Sequence, residues 1–202
     1  MLRVGLTGGL ASGKSFVGEH LRELGCFLIK ADDLGHAVLE PGGEAYDATV
    51  GEFGREILND DGTINRRRLA ALVFQHPERL AVLNSLVHPH VHARGIRMAE
   101  EFAAGDPQAI VVTEAAILVE TGSYLNFDRL IVAVCREDQQ IERAMHRDGI
   151  TKEEAQARLA RQFPLAEKLK VADFVIDTSG LKENTIAQTR AVYETLRGLA
   201  GK

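Results

Sequence analysis

The chain has 202 residues, 45% hydrophobic and 26% charged, with a net charge of −5. These values suit a chain that buries one substantial core, and they exclude a disordered polyelectrolyte or a protein that grips nucleic acid through bulk positive charge. No apolar run reaches the roughly 18 residues of a membrane span, "MLRVGLTGG" lacks the form of a secretory signal, and Cys26 and Cys135 stand in no metal or redox spacing; a cytoplasmic protein with two free, buried thiols is expected.

Val4 to Thr7 forms the first short apolar strand, and glycines follow it. Lys14 to Leu24 then places Phe16, Val17, Leu21 and Leu24 at helical spacing. Cys26 to Ile29 is the second strand. Helical patterns run over Leu69–Phe74 and Pro77–Phe102. The strands "AIVVT" (Ala109 to Thr113) and "LIVAV" (Leu130 to Val134) come next, then helices over Asp138–Arg147 and Lys152–Gln162. Phe174 to Ile176 is the last strand and Lys182–Leu199 the last helix. Uninterrupted apolar strands alternating with helices predict an α/β fold, a parallel sheet covered on both faces. The expected core is 1–31, 105–138 and 171–202, with a mostly helical insertion over 32–104 and a charged helical segment over 139–170, both candidates for mobile elements over a site.

The strongest local signal is "GLTGGLASGKS", which fits G-x-x-x-x-G-K-[ST] at Gly8, Gly13, Lys14 and Ser15 between a strand and a helix. Such glycines let successive backbone N–H groups curl around a phosphate, and the helix adds the positive end of its dipole. Lys14 can reach β- and γ-phosphates and Ser15 can ligate Mg²⁺, so a nucleoside triphosphate with Mg²⁺ is expected; the motif alone does not separate a kinase from a GTPase or an ATPase. No N-K-x-D guanine motif is present, and the helical excursions suit a small-molecule kinase that must exclude water.

"LIKADD" closes the second strand, and strand ends are where α/β sheets bind ligands. Read as extended chain beside the phosphate loop, it puts Lys30 and Asp32 on one side and Asp33 on the other. Asp33 then caps a following helix through Leu34, Ala37 and Val38, and Asp32 is the candidate to orient an acceptor hydroxyl and take its proton.

Taken together, "GLTGGLASGKS", "ADDLGHAVLEPG", "DGTINRRRLAALVF", "LNSLVHPHV", "ILVETG", "RAMHRDGIT" and "EKLKVADFVIDTSG" make the chain resemble the dephospho-CoA kinases over nearly its whole length. That resemblance implies a P-loop NTPase-type sheet with a helical acceptor domain and a helical lid. It also implies ATP-dependent phosphorylation of the ribose 3′-hydroxyl of dephospho-CoA, the last step of coenzyme A biosynthesis. By the same resemblance, Gly8, Gly9, Ala11, Ser12, Gly13, Lys14, Ser15 and Phe16 hold the nucleotide, and Asp32 is the base. Thr7, Asp32, Arg66, His88 and Leu118 face the acceptor, and Arg143 and Arg147 act from the lid. The chain departs from the family pattern at Lys30 (usually Asp), Glu114 (usually Asp), Ala116 (usually Pro), Ala11 (usually Gly) and Phe16 (usually Thr).

Several residues admit two readings. His88, His90 and His92 could share a strand face as metal ligands, but Pro89 and the surrounding pattern favour a helix with His88 at an acceptor pocket. Arg66, Arg67 and Arg68 face three directions on a helix, which leaves Arg66 as the ligand candidate and the others in solvent. Arg143 with Arg147, and Arg158 with Arg161, either clamp phosphates or pair with nearby Glu142, Asp148, Glu153 and Glu154. Glu114 either assists Mg²⁺ through water or serves a helix cap or the surface, and the "DTSG" loop can hold adenine through its backbone. A kinase of another nucleotide, and a nucleotide-binding regulator without catalysis, are the competing functions.

Overall fold

A computed structural model of the chain describes residues 1–74 and 76–201; Gln75 and Lys202, which fall in the expected insertion and core, lie outside the described residues. The described residues form two compact units, Met1–Ile29 with Ala99–Lys202, and Lys30–Met98.

The first unit is built on five strands: β1 (Leu2–Gly8), β2 (Phe27–Lys30), β3 (Ile110–Glu114), β4 (Arg129–Val134) and β5 (Phe174–Asp177). Their order is β2-β3-β1-β4-β5, and β1 pairs in parallel with both β3 and β4, as β4 does with β5. The expected parallel sheet is present, with one correction. β3 lies between β2 and β1, so the second strand does not flank the phosphate loop as its place in the sequence suggested. Sequence adjacency fails here because a right-handed crossover can return the chain to any open edge of a parallel sheet.

Burial on both faces explains the unbroken apolar strands. Val4, Leu6, Ile131, Ala133 and Ile176 form one core with Val17 and Leu21 of α1 (Lys14–Glu23) and with Val192 and Leu196 of α9 (Lys182–Ala200). The alternate residues Leu130 and Val132 are buried as well. The unit also carries α6 (Glu137–Asp148), α7 (Lys152–Leu159) and α8 (Leu165–Leu169). Gly149 ends α6 with φ 64, and a capping box between Thr151 and Glu154 starts α7. The helix expected to reach Gln162 stops at Leu159, and Pro164 stands before the short α8.

The second unit contains α2 (Ala31–Ala37), α3 (Tyr46–Phe53), a 3₁₀ turn at Arg55–Ile57, α4 (Arg66–Phe74) and most of α5 (Pro77–Gly105), which carries Pro89 inside it. Its core is Phe53, Ile57, Ile64, Leu69 and Val73. Arg68 donates to the Leu58 carbonyl at 2.6 Å, so it ties α4 to the preceding turn and does not simply face solvent. The Arg94 guanidinium holds the Glu44 carboxyl down at a pKa of about 2.

Candidate active site

Between β1 and α1 the chain must turn within residues 9–13, and the glycines of this stretch stand where they do for a measurable reason. A Cβ on Gly8 would lie 2.5 Å from the Ala133 carbonyl oxygen, and one on Gly9 2.5 Å from Gln140 Oε1. Gly13 stands before α1 with φ 82, and a Cβ there would meet the Thr178 side chain at 2.9 Å. Gly8→Ala is therefore expected to overpack against backbone that cannot give, at about 1–3 kcal/mol, and to lower Tm by about 5 °C or more. Thermal unfolding with Tm unchanged would count against this account.

Ala11 also has a positive φ, 49°, the one non-glycine residue among those described to do so. Its departure from glycine thus falls where a side chain costs about 1 kcal/mol. The methyl is used: Ala11 is buried in a cluster with Ile141, Ala144 and Ala155.

α1 opens at Lys14 with no acidic residue in its first turn, so the positive end of its dipole suits an anion there. Ser15 Oγ donates to Glu114 Oε1 at 2.5 Å. Glu114 ends β3 opposite Leu6 of β1, is 7% exposed, and keeps its second oxygen, Oε2, buried without a partner. Of the two readings of Glu114, this geometry favours the one beside the phosphate loop, because a buried anion with an unused oxygen and a hydroxyl neighbour suits a cation. Ser12 Oγ and Gln140 Oε1 are likewise buried and unpartnered, while Gln140 Nε2 donates to the Cys135 carbonyl.

Arg143 on α6 reaches the loop through Thr178. Its Nη2 donates to the Thr178 carbonyl at 2.8 Å and Nη1 to Thr178 Oγ1 at 3.2 Å, and that hydroxyl donates to the Ser12 carbonyl at 2.8 Å. Arg147 forms a two-pronged bond with Asp148, which also receives Arg158, so the ion-pair reading describes those two arginines here. Arg147 foremost, then Arg158, holds the Asp148 carboxyl below the ordinary range. Thr7 is fully buried and donates to the Ala116 carbonyl, and Leu118 is buried against Gly5. Phe16 is 37% exposed, with Lys182 Nζ 5.9 Å from its ring centroid. Phe16→Thr restores a hydroxyl where the family has one and is expected to lower KM for ATP about 5-fold, a gain of about 1 kcal/mol readable in initial rates.

The remaining candidates belong to the second unit. Asp32 and Asp33 both lie in the first turn of α2, exposed, and the residue before the helix is Lys30, without a side-chain cap. The strand-parity argument is corrected accordingly: the strand ends at Lys30, both carboxylates are helical, and Asp33 is not the cap. Their acidity suits the helix start through the dipole. Arg66 begins α4 half-exposed, with Nη2 3.4 Å from Glu40 Oε1. His88 precedes Pro89 within α5, and desolvation lowers its pKa, so the ring is neutral at pH 7. On that helix His88 and His92, four apart, share a face and His90 turns away from it; among the described residues no three His, Cys, Asp or Glu side chains converge on a metal site.

A family model described as dephospho-CoA kinase matches residues 2–183. A dephospho-CoA kinase from Geobacillus kaustophilus is 41% identical over 193 residues, 96% of either chain, and one from Aquifex aeolicus is 38% identical over 196 residues, 97% of this chain and 98% of the relative. The chain belongs to the dephospho-CoA kinase family. A solved Thermus thermophilus protein superposes with a TM-score of 0.81 at 30% identity, covering 96% of this chain and 97% of its own. The dephospho-CoA kinase from Campylobacter jejuni does so at 0.72 and 26%, covering 97% of each. A shikimate kinase from Bacteroides thetaiotaomicron, at 0.53 and 13%, shares the fold alone. As a dephospho-CoA kinase family member, the chain is a phosphotransferase with an alcohol acceptor and ATP as its nucleotide. Of the departures from the family, Glu114, Ala11 and Phe16 lie at the phosphate loop, and Ala116 supplies the carbonyl that Thr7 uses.

Sequence reading missed Thr178, Gln140, Gln162, Lys168 and Glu120 as side chains around this loop. None carries a local signal; each reaches its place through contacts 35 or more residues away in the chain, or, for Gln140, through one turn of α6.

Proposed function

We propose that this protein transfers the γ-phosphoryl group of ATP to the 3′-hydroxyl of the ribose of dephospho-CoA, giving coenzyme A and ADP. The observation that carries the reading is the loop from Gly8 to Ser15, whose glycines stand where a Cβ would clash and whose Ser15 hydroxyl meets a buried Glu114, in a chain matched to the family over residues 2–183.

The loop amides and the α1 N-terminus bind the phosphates, and Lys14 offsets charge on the β- and γ-groups. Ser15 Oγ and Glu114 fit Mg²⁺, the hydroxyl as a ligand and the carboxylate directly or through water; the ion would neutralise phosphate charge when bound. Asp32 orients the 3′-hydroxyl and accepts its proton as the oxygen bonds to the γ-phosphorus and the bond to ADP breaks. Arg66, His88, Thr7 and Leu118 define the acceptor side. His88 does so as a neutral ring, a hydrogen-bonding group and not a cation. Arg143, fixed by Thr178, spreads transition-state charge, and Arg147 helps to hold the 139–170 segment as a lid that excludes water. The proposed setting is the cytoplasm and the proposed partners are small molecules; no helix among the described residues is long and apolar enough to cross a membrane.

The test is a coupled ADP-release assay with ATP–Mg²⁺ and a panel of acceptors. Turnover with dephospho-CoA far above that with nucleosides or nucleoside monophosphates is expected. Transfer to a nucleoside monophosphate with dephospho-CoA inert, or tight ATP binding with no acceptor turned over, would overturn it.

A further inference from the structure

Lys168 on α8 is 1% exposed. Its Nζ lies 2.6 Å from Glu120 Oε1 and 3.1 Å from the Ala116 carbonyl oxygen. A buried ion pair is a weak way to stabilise a fold, since apolar side chains of similar size often do as well or better. What the pair specifies is position. The Ala116 carbonyl also receives the Thr7 hydroxyl at 3.2 Å, and Thr7 is the residue before Gly8, at the base of the phosphate loop. Glu120 Oε1 receives a second donor, the Phe163 N–H, at 3.1 Å. One residue earlier, Gln162 Oε1 accepts the N–H of Leu10, near the tip of the loop, at 2.8 Å. Leu10 in turn packs on the cluster of Ala11, Ile141, Ala144 and Ala155. The chain from 162 to 168 thus grips the phosphate loop at both ends. Directly after the grip on Leu10 comes Ala11, held in a conformation that a side chain disfavours.

We propose that Gln162 and Lys168 are positioning residues for ATP binding: they clamp the 162–168 segment to the base and tip of the phosphate loop and so hold its amides in the nucleotide-ready arrangement. The proposal rests on the phosphotransfer reading only in taking ATP as the ligand. No contact of either residue with the nucleotide is required; Gln162 acts through the Leu10 amide, and Lys168 through Glu120, Ala116 and Thr7.

Two variants test this by direct ATP binding and by steady-state kinetics with dephospho-CoA. Gln162→Ala removes a partly exposed side chain and should leave the fold intact. It is expected to raise Kd and KM for ATP about 5–10-fold, the loss of roughly one hydrogen bond, with KM for dephospho-CoA unchanged. Lys168→Met combined with Glu120→Gln removes both charges at once, so no unpaired ion is left buried, and should weaken ATP to a similar degree. Joining all three substitutions should weaken it by less than the product of the separate effects, because one segment is released in each case. A folded Gln162→Ala protein with ATP affinity within about twofold of the parent would overturn the proposal, as would a lowered Tm with unchanged ATP affinity, the mark of a purely structural role. If the parent binds ATP but leaves dephospho-CoA untouched, the acceptor assignment fails while the ATP comparison still decides the clamp.

Discussion

Asp32→Asn is expected to lower kcat for dephospho-CoA by about 10²–10⁴-fold, the usual contribution of a positioned proton acceptor. Asn keeps the size of the side chain and one acceptor oxygen, so it can still touch a hydroxyl. It cannot take the proton. KM for ATP should stay near the parent value, because every nucleotide-side candidate, from Gly8 to Phe16, belongs to the other compact unit. The fold should also persist: Asp32 is exposed, in the first turn of a short helix, and losing its favourable term with the helix dipole costs only about 0.3–1 kcal/mol. Rapid-quench measurement of the transfer step is the direct check. An unchanged rate would remove Asp32 from the chemistry and send the search to other carboxylates of the Lys30–Met98 unit.

Glu114→Gln should raise the Mg²⁺ concentration needed for half-maximal rate by about 10–100-fold, the range seen when a partner of a metal-bound group loses its charge. Glu114 Oε1 is already engaged by the Ser15 hydroxyl, and an amide oxygen can replace it there. The charge cannot be replaced, and it sits on a side chain 7% exposed with its other oxygen unpartnered. Uncompensated burial of that oxygen costs on the order of 1–3 kcal/mol, which a bound cation would recover. A Mg²⁺ titration of the initial rate separates the outcomes. If the half-maximal concentration holds while Tm rises, Glu114 is a structural anion beside Ser15 and nothing more.

How far the sequence revealed this molecule depends on the range of the interaction. The five strands were legible because burial on both faces leaves runs such as "LIVAV" with no polar interruption, and α1 because glycines stop just where its apolar spacing starts. The phosphate loop was legible because its signature is contiguous, from Gly8 to Ser15, although the clashes its glycines avoid, at Ala133 and Thr178, come from far along the chain. "LIKADD" misled because extended and helical readings of so short a stretch predict opposite faces, and Lys30 is the residue where one becomes the other. Strand order, and with it the placing of Glu114 beside the loop, depends on which edge each crossover chooses, which spacing does not encode. Lys168 and Gln162 fall in a charged helical segment with nothing to single them out; their partners lie 48 and 152 positions away.

The cysteines have a consequence for the conditions under which such a loop keeps working. Burial pushes the Cys26 thiol up to about 12 and raises that of Cys135, whose Sγ lies 4.0 Å from the Ala11 carbonyl oxygen. Oxidants and alkylating agents attack thiolates, and thiolate is scarce at both positions. A sulfur thus borders the phosphate loop while burial disfavours the thiolate through which oxidants and alkylating agents would reach it.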